Sequence, residues 1–497
     1  MRHLHIMLCM LLSIASRAAE PVFSNDDVTA TVIEPGVTVL ETSDKTTMYL
    51  VEGDTAALLI DTGTKCRDLD KIAAKLTDKP LRVALTHCHY DHSGGVHYFP
   101  EVYMHPADTL VTSRNMADYK GKIRYIEEGY RFELGSRTLE VFLMPGHTPG
   151  SIIFVDFAGK MAFTGDAFGT GQLWMQLNPQ VEFSTLSESC GRMLRLMTSQ
   201  GIEKLYAGHY PYIKKPIGLD YMLDIAENAR DIENGNINAA TPFGEDALLL
   251  RRGQAEIVFR PEAAGKRKGH GPTVLLKLDD VHYGDDGEAV PDAWNRVVNF
   301  IDSAGIKANL GIIGYSLDSD RTDYFDWLRT TARNPRIEFW NHGYHNRMSM
   351  DEPGEFEQDF HKQRAALHRT DSLATAKAGL TLRAWGRHWT NCNEHTDSAL
   401  ASISNIELVF GHPEHPRLFK GTLVERNLEM EYPFHNPVYA KFLANYLGRY
   451  SHLDHFYLQG HPHSWDEARW QEFTAIIRRL KADGAHFVCI SEFLGQQ

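Results

Sequence analysis

Four residues able to hold a metal ion crowd six positions of the chain: His87, His89, Asp91 and His92, within Leu81 to Gly95 (LRVALTHCHYDHSGG). Neutral imidazole and carboxylate are donors that zinc accepts. The apolar Leu81, Val83, Ala84 and Leu85 predict a short buried strand whose end aims these side chains at one point. Ser93-Gly94-Gly95 then lets the backbone turn away. The chain has 25 histidines, so one alone means little, but four ligand-type residues at this spacing carry weight.

The elements around this stretch repeat its design. Partial alternation over Val28 to Leu40, then Met48 to Val51 and Ala56 to Ile60, predicts strands of a half-buried sheet, with Gly53-Asp54 in a turn. Asp61-Thr62-Gly63 closes the last of these, and Leu69 to Leu76 reads as a helix. Three later strands each end in one more donor beside glycine. Leu139 to Met144 runs into His147, Met161 to Thr164 into Asp166, and Lys204 to Ala207 into His209. Ends of neighbouring strands can converge where sequence positions do not. Tyr90, Trp174 and Tyr210 lie near these donors in sequence and are candidates to line a substrate groove.

On these residues the stretch from about Val28 to Pro261 resembles the metallo-β-lactamase-fold hydrolases. The resemblance implies an αβ/βα sandwich with two Zn2+ ions between the sheets. It puts His87, His89 and His147 on one zinc and Asp91, His92 and His209 on the other, with Asp166 bridging. Two dications roughly 3.5–4 Å apart acidify a shared water, and the resulting metal-bound hydroxide attacks carbon or phosphorus. Asp91 would be a ligand and would also orient the nucleophile. A redox di-iron member would carry a carboxylate where His89 stands, so the expectation is hydrolysis of an ester, thioester, lactone, lactam or phosphodiester. The acid at 166 resembles the thioesterase, lactonase and phosphodiesterase branches, whereas export is the habit of β-lactamases.

Export is read from residues 1–19. Arg2 gives a positive start, Ile6 to Ile14 is an apolar run too short to span a bilayer, and Ser16-Arg17-Ala18-Ala19 offers small residues for cleavage. The expected location is periplasmic or secreted, with no membrane association after cleavage. Six cysteines without CxxC pairing fit spectator thiols, with Cys88 notable between two proposed ligands. A net charge of −14 argues against nucleic acid as a partner, leaving a small-molecule or glycan substrate. At 497 residues the chain exceeds one core, and the expected division is 20–261, a linker at 262–271 rich in glycine and lysine, and 272–497. Oligomeric state has no signature in the sequence.

Within the first part, Leu219 to Asn234 has helical spacing and Ala247 to Leu250 with Ala255 to Phe259 reads as a hairpin. From Thr273 the rhythm alternates strand and helix, with later strands expected at Leu382 to Trp385, Ile406 to Phe410, Phe456 to Leu458 and Phe487 to Ile490. This predicts mostly parallel strands closed into a (β/α) barrel. Asp279-Asp280, His342 with His345, and His461 with His463 follow three of its strands. Here the chain resembles the polysaccharide deacetylases, from about Thr273 to Leu494. That resemblance implies a divalent metal on Asp280, His342 and His345, Asp279 as catalytic base and His461 as acid. Two residues, not the usual three, separate the histidine pair, and no Arg-x-Pro-Tyr segment is evident in Ala384 to Trp389. The alternatives for the whole chain are therefore deacetylation of an N-acetylated glycan by this half, or a non-catalytic glycan-binding protein.

Overall fold

A computed structural model describes residues 20–64, 66–266, 271–285, 287–345, 353–388, 392–411 and 417–496. The proposed signal segment, most of the Lys266-Arg267-Lys268 run, and Trp389 lie outside the described residues. The chain parts into two compact units, one running to Val181 and including Ile202–Gly218, the other formed by Glu182–Gly201 and Leu219–Gln497.

The first unit holds two sheets. The eight-stranded sheet runs in chain order through Phe23–Ser24, Val28–Glu34, Val37–Thr42, Thr47–Glu52, Ala57–Ile60, Leu81–Ala84, Glu101–Met104 and Lys122–Tyr125. Its first five strands are antiparallel, and from Ala57–Ile60 onward pairing is parallel. In the five-stranded sheet Lys204–Ala207 lies parallel to Met161–Gly165, and Ile152–Asp156, Thr138–Leu143 and Arg131–Glu133 follow antiparallel.

Period-2 alternation decides which side chain enters which layer. Leu58 and Ile60 join Val39, Tyr49, Phe154 and Phe163 in one core, while Ala57 and Leu59 face Leu69, Ile72, Val96 and Phe99 in another. All four residues of Ala57–Ile60 are buried, as expected of a strand covered on both faces. Each large side chain so buried contributes roughly 1.5–3 kcal/mol.

Strand direction then places the donors. Thr138–Leu143, Met161–Gly165 and Lys204–Ala207 all point the same way, so His147, Asp166 and His209 follow at one edge of their sheet. Ala57–Ile60 and Leu81–Ala84 likewise run parallel and deliver Asp61 and His87 to a common edge.

The second unit is built on parallel strands in the order Thr422–Val424, Leu408–Phe410, Ala384–Gly386, Ile337–Asn341, Ala308–Ile312, Thr273–Val281 and His455–Gly460, with His486–Phe487 also on Thr273–Val281. This barrel-like sheet is nearly closed. Asn427, just past Thr422–Val424, donates to His455 O (2.7 Å) and accepts from Tyr457 N (3.0 Å), so one side chain spans the seam. The expected strand at Phe487 to Ile490 stops at Phe487. Asn309 captures the next backbone groups, Val488 O at 3.2 Å and Ile490 N at 2.9 Å, and a helix follows over Ile490–Gly495.

The unit boundary also differs from the expected linker at 262–271. Helices Phe183–Gln200 and Leu219–Glu233 belong with the later strands. Gly191 packs so tightly that a Cβ there would stand 2.7 Å from Gly448 N, and Arg195 Nη1 donates to Ala444 O (2.9 Å). Arg230 and Asn234 both reach the Asp483 carboxylate, and Gly265 N donates to Ile232 O (2.9 Å). The hairpin Ala247–Arg252 with Ala255–Phe259 forms as expected. Among the described residues no helix is long and apolar enough to cross a membrane, and Cys66, Cys88, Cys190, Cys392 and Cys489 are unpaired thiols.

Candidate metal centre

Seven donors meet in the first unit. His87, His89 and His147 form one group and Asp91, His92, Asp166 and His209 another, with the ligand atoms in each within 4.8 Å of one another. Asp166 Oδ2 lies 3.5 Å from His92 Nε2, 3.2 Å from His209 Nε2 and 3.8 Å from His147 Nε2, so one oxygen faces both groups. Asp91 Oδ2 stands 3.4 Å from His209 Nε2 and 3.7 Å from His92 Nε2.

The outward ring nitrogens are held. His92 Nδ1 pairs with Asp61 Oδ2 (2.8 Å), His147 Nδ1 with Trp174 O (2.8 Å), His209 Nδ1 with Lys45 O (3.1 Å) and His87 Nδ1 with Thr86 Oγ1 (3.2 Å). These four rings turn Nε2 inward, whereas His89 presents Nδ1, 2.8 Å from His147 Nε2. Such outer bonds fix tautomer and ring orientation in metal sites. Buried and without a hydrogen-bond partner are His87 Nε2, His92 Nε2 and Asp166 Oδ1. Buried polar atoms without a partner are costly, and two inward imidazole nitrogens beside the Asp166 carboxylate fit a divalent cation.

The electrostatics agree. Burial drives the His87 imidazole well below its usual range, and His92, His147 and His89 push it further; burial with His147 takes His89 down to about 3. Both stay neutral, as ligands must. Around His209 burial is outweighed by Asp166 and Asp91, which lift its imidazole to about 10. That half of the site has the field of a cation pocket.

Two further carboxylates, without a signature in the local sequence, organise the centre. Asp61, left-handed at φ 63°, accepts from Thr86 N (2.7 Å) and Thr86 Oγ1 (2.8 Å) besides holding His92. Asp108 accepts from Cys88 N (2.9 Å) and Gly150 N (2.7 Å), stapling the loop of His87 and His89 to the loop of His147. Two glycines permit the crowding. Gly165 has φ 50° and lies against Thr86, and a Cβ on Gly208 would meet Asp166 Oδ1 at 2.3 Å and His92 Cε1 at 2.6 Å. Cys88 points instead to the helix-side core, where its thiol contacts Met104 Sδ (3.6 Å) and burial pushes its pKa up.

In the second unit a cavity of about 890 Å³ opens over Asp279, Asp280, His342, His461 and His463. His342 Nε2 lies 3.2 Å from Asp280 Oδ1, and His463 Nδ1 lies 3.8 Å from Asp280 Oδ2. His345 departs from expectation: it is exposed, and among the described residues it joins no donor group with Asp280 and His342. Asp279, expected as the base, has a partner that the resemblance does not include. Lys277 Nζ engages both its oxygens (2.8 and 2.6 Å) and Gln459 donates to one (2.7 Å), while His342 Nε2 (3.6 Å) and His461 Nε2 (3.7 Å) stand beside Oδ2, so the buried carboxylate lines the cavity and is also the counter-ion of a buried lysine. Asp280 sits at φ 75° beside a register shift in its strand, which turns its side chain into the cavity. His461 is oriented by Glu431, with Nδ1 to Oε2 at 2.7 Å.

Two sheets delivering histidines and aspartates from their strand ends to a common edge define a metal-binding α/β sandwich. The family model of the metallo-β-lactamase superfamily matches residues 42–209. Over 208 residues the chain is 30% identical to the acyl-coenzyme A thioesterase MBLAC2 of Gallus gallus, covering 34% of this chain and 74% of that protein. The chain belongs to the metallo-β-lactamase superfamily. Among solved structures it is similar to TTHA1623 in a di-iron-bound form (28% identity, TM-score 0.30, 36% of this chain and 92% of that one). It is also similar to a cobalt-bound family 4 acetyl xylan esterase from Clostridium thermocellum (17% identity, TM-score 0.32, 45% and 91%).

Proposed function

We propose that the protein is an exported dizinc hydrolase of esters or thioesters, acting through the centre in the first unit. The observation that carries this reading is the placement of Asp166 Oδ2 within 3.8 Å of donors from both groups, beside orphaned inward acceptors. His87, His89 and His147 would hold one ion and Asp91, His92 and His209 the other, with Asp166 between them. Bound there, a pair of divalent ions would acidify water and polarise an acyl oxygen. Asp91 is the most accessible carboxylate of the set, with 36% of its side chain exposed, and is placed to orient the attacking water and hold its proton. Asp61 and Asp108 keep the donors aimed. Five histidines with two aspartates, and His89 in place of a carboxylate, favour zinc and hydrolysis over iron and redox chemistry.

The test is metal content plus a panel of thioester, ester, lactone, β-lactam and phosphodiester substrates on wild type and Asp166→Ala. Two zinc ions per chain and thioester or ester cleavage lost in the variant are expected. A wild-type protein that retains no metal, or cleaves nothing when loaded, refutes the reading. Export is checked by the mature N-terminus, expected just after Ala19.

For the second unit, Lys277 on both oxygens of Asp279 favours a glycan-binding cavity over a working deacetylase. Acetate release from chitooligosaccharides would reverse that preference.

A further inference from the structure

Three aromatic side chains are out of place on the first unit. Tyr90, Trp174 and Tyr212 are 57%, 42% and 61% exposed, and each is tied to a different proposed ligand. Tyr90 stands between His89 and Asp91 in the turn that carries both. The carbonyl of Trp174 accepts from His147 Nδ1 at 2.8 Å. The ring of Tyr212 lies 6.0 Å from that of His209. A fourth residue completes the pattern: the Lys45 carbonyl takes His209 Nδ1 (3.1 Å), and its Nζ lies 4.8 Å above the Tyr212 ring. The carbonyls of Trp174 and Lys45 hold ligand rings, while the Lys45 side chain is exposed and the Trp174 ring, its Nε1 donating to Gln172 Oε1 (2.9 Å), is exposed over 42% of the residue. Exposed aromatic area costs solvation, and collected around the mouth of a polar centre it marks where an apolar group of a ligand is covered.

We infer that Tyr90, Trp174 and Tyr212 form an apolar rim that seats the acyl chain of the substrate, with Lys45 at its edge for an anionic group on the leaving thiol or alcohol. The substrate class is an amphipathic acyl ester or thioester, a long apolar acyl group joined to an anionic carrier. This specificity rests on the hydrolase reading above. Tyr210, named with the other two from sequence, is half-buried and turns toward the inner Tyr206 ring (6.3 Å), so Tyr212 takes its place.

The experiment uses the full-length zinc-loaded protein and S-acyl thioesters of mercaptopropionate (anionic), mercaptoethanol (neutral) and thiocholine (cationic), each with acetyl, butyryl and octanoyl chains. Each buried methylene should raise kcat/KM by about fourfold until the rim is filled. Trp174→Ala and Tyr212→Ala should flatten that rise roughly tenfold for octanoyl substrates while binding zinc as tightly as wild type, because the backbone acceptor and the ligands are retained. Lys45→Gln should cost about tenfold on the mercaptopropionate series alone. Tyr125→Ala, exposed on the same unit without contact to a ligand, serves as the control. Cleavage without chain-length dependence, or an octanoyl preference that survives both aromatic variants, overturns the inference. If no thioester is cleaved, equilibrium binding of S-octyl mercaptopropionate, the uncleavable thioether, separates the two ideas. Binding lost in Trp174→Ala and Tyr212→Ala upholds the rim while the hydrolase reading fails, and absence of binding to wild type overturns the rim as well.

Discussion

Replacing Asp61 by asparagine tests the architecture of the centre without touching a ligand. Its Oδ1 accepts the Thr86 amide at 2.7 Å and its Oδ2 faces His92 Nδ1 at 2.8 Å, in a fully buried setting. Asparagine has one acceptor and one double donor. Pointing its NH2 at the Thr86 amide would bury two donors against each other, at about 1–3 kcal/mol. The oxygen therefore stays with Thr86, and the NH2 turns to His92. His92 Nδ1 must then accept, its proton moves to Nε2, and the nitrogen facing Asp166 no longer offers a lone pair. Loss of such an outer partner lowers metal affinity about 10–100-fold, or roughly 1.4–2.8 kcal/mol. Because His87, His89 and His147 are untouched, the deficit should fall on one ion of two. Zinc titration against a chromogenic chelator should show two tight equivalents in wild type and one tight plus one weakened in Asp61→Asn, with the far-UV spectrum unchanged. Two equivalents of unaltered affinity would refute the argument that Asp61 sets the His92 tautomer.

Gly208→Ala drives a methyl into Asp166 Oδ1 and His92, and should abolish tight metal binding while the protein still folds; full zinc occupancy by elemental analysis would contradict this. Chelation should lower the melting temperature of the first unit, because an ion bound at a thousandfold above Kd stabilises by about 4 kcal/mol; scanning calorimetry with and without chelator checks it. In the second unit Arg479, buried against Asp231 Oδ1 (2.8 Å), Glu227 Oε2 (3.1 Å) and Asp483, should cost roughly 3–5 kcal/mol when replaced by methionine, since carboxylates are left uncompensated. Burial raises the Asp483 and Asp279 carboxyls, but the adjacent Arg479 and Lys277 outweigh it and hold both below the usual range. Their stabilisation is complete above the unfolded pKa near 3.9 and is lost as pH falls through the lower folded values, so urea midpoints should hold from pH 7 to about 5 and decline below about 4.

The seven donors were legible because each sits at the end of an apolar run, where residue type and periodicity carry the information locally. Asp61 and Asp108 were not, because their work is done on groups 20 to 42 residues away: Thr86 and His92 for the first, Cys88 and Gly150 for the second. A carboxylate that accepts from the backbone of a distant loop has the same local signature as one that closes a turn. The exchange of Tyr212 for Tyr210 has a similar origin. Both lie in the single turn Tyr210–Tyr212, and which ring folds inward depends on the room beside Tyr206, a fact of the sheet rather than of the turn.

The second unit is legible in its strand rhythm, whereas the partner of Asp279 is not, for a related reason. Lys277 lies two residues before Asp279 on one strand, and period-2 geometry puts both on the same face, so the pairing was in principle available. Lysine on a strand is usually solvated, and its burial follows from Trp340, whose ring lies 4.6 Å from Nζ, and from Phe410, 5.7 Å away although its strand is four places along the sheet. Once those rings enclose Lys277, leaving its charge unpaired would cost several kcal/mol, and Asp279 is the carboxylate within reach. The pair is thus forced by packing, and the aspartate that the deacetylase resemblance implies as a base is also the counter-ion of Lys277. Lys277→Met, which keeps volume and removes charge, should release Asp279 toward the cavity and raise its pKa, measurable by carboxyl NMR; an Asp279 signal titrating as in wild type would mean that Gln459 and the histidines, not Lys277, hold it.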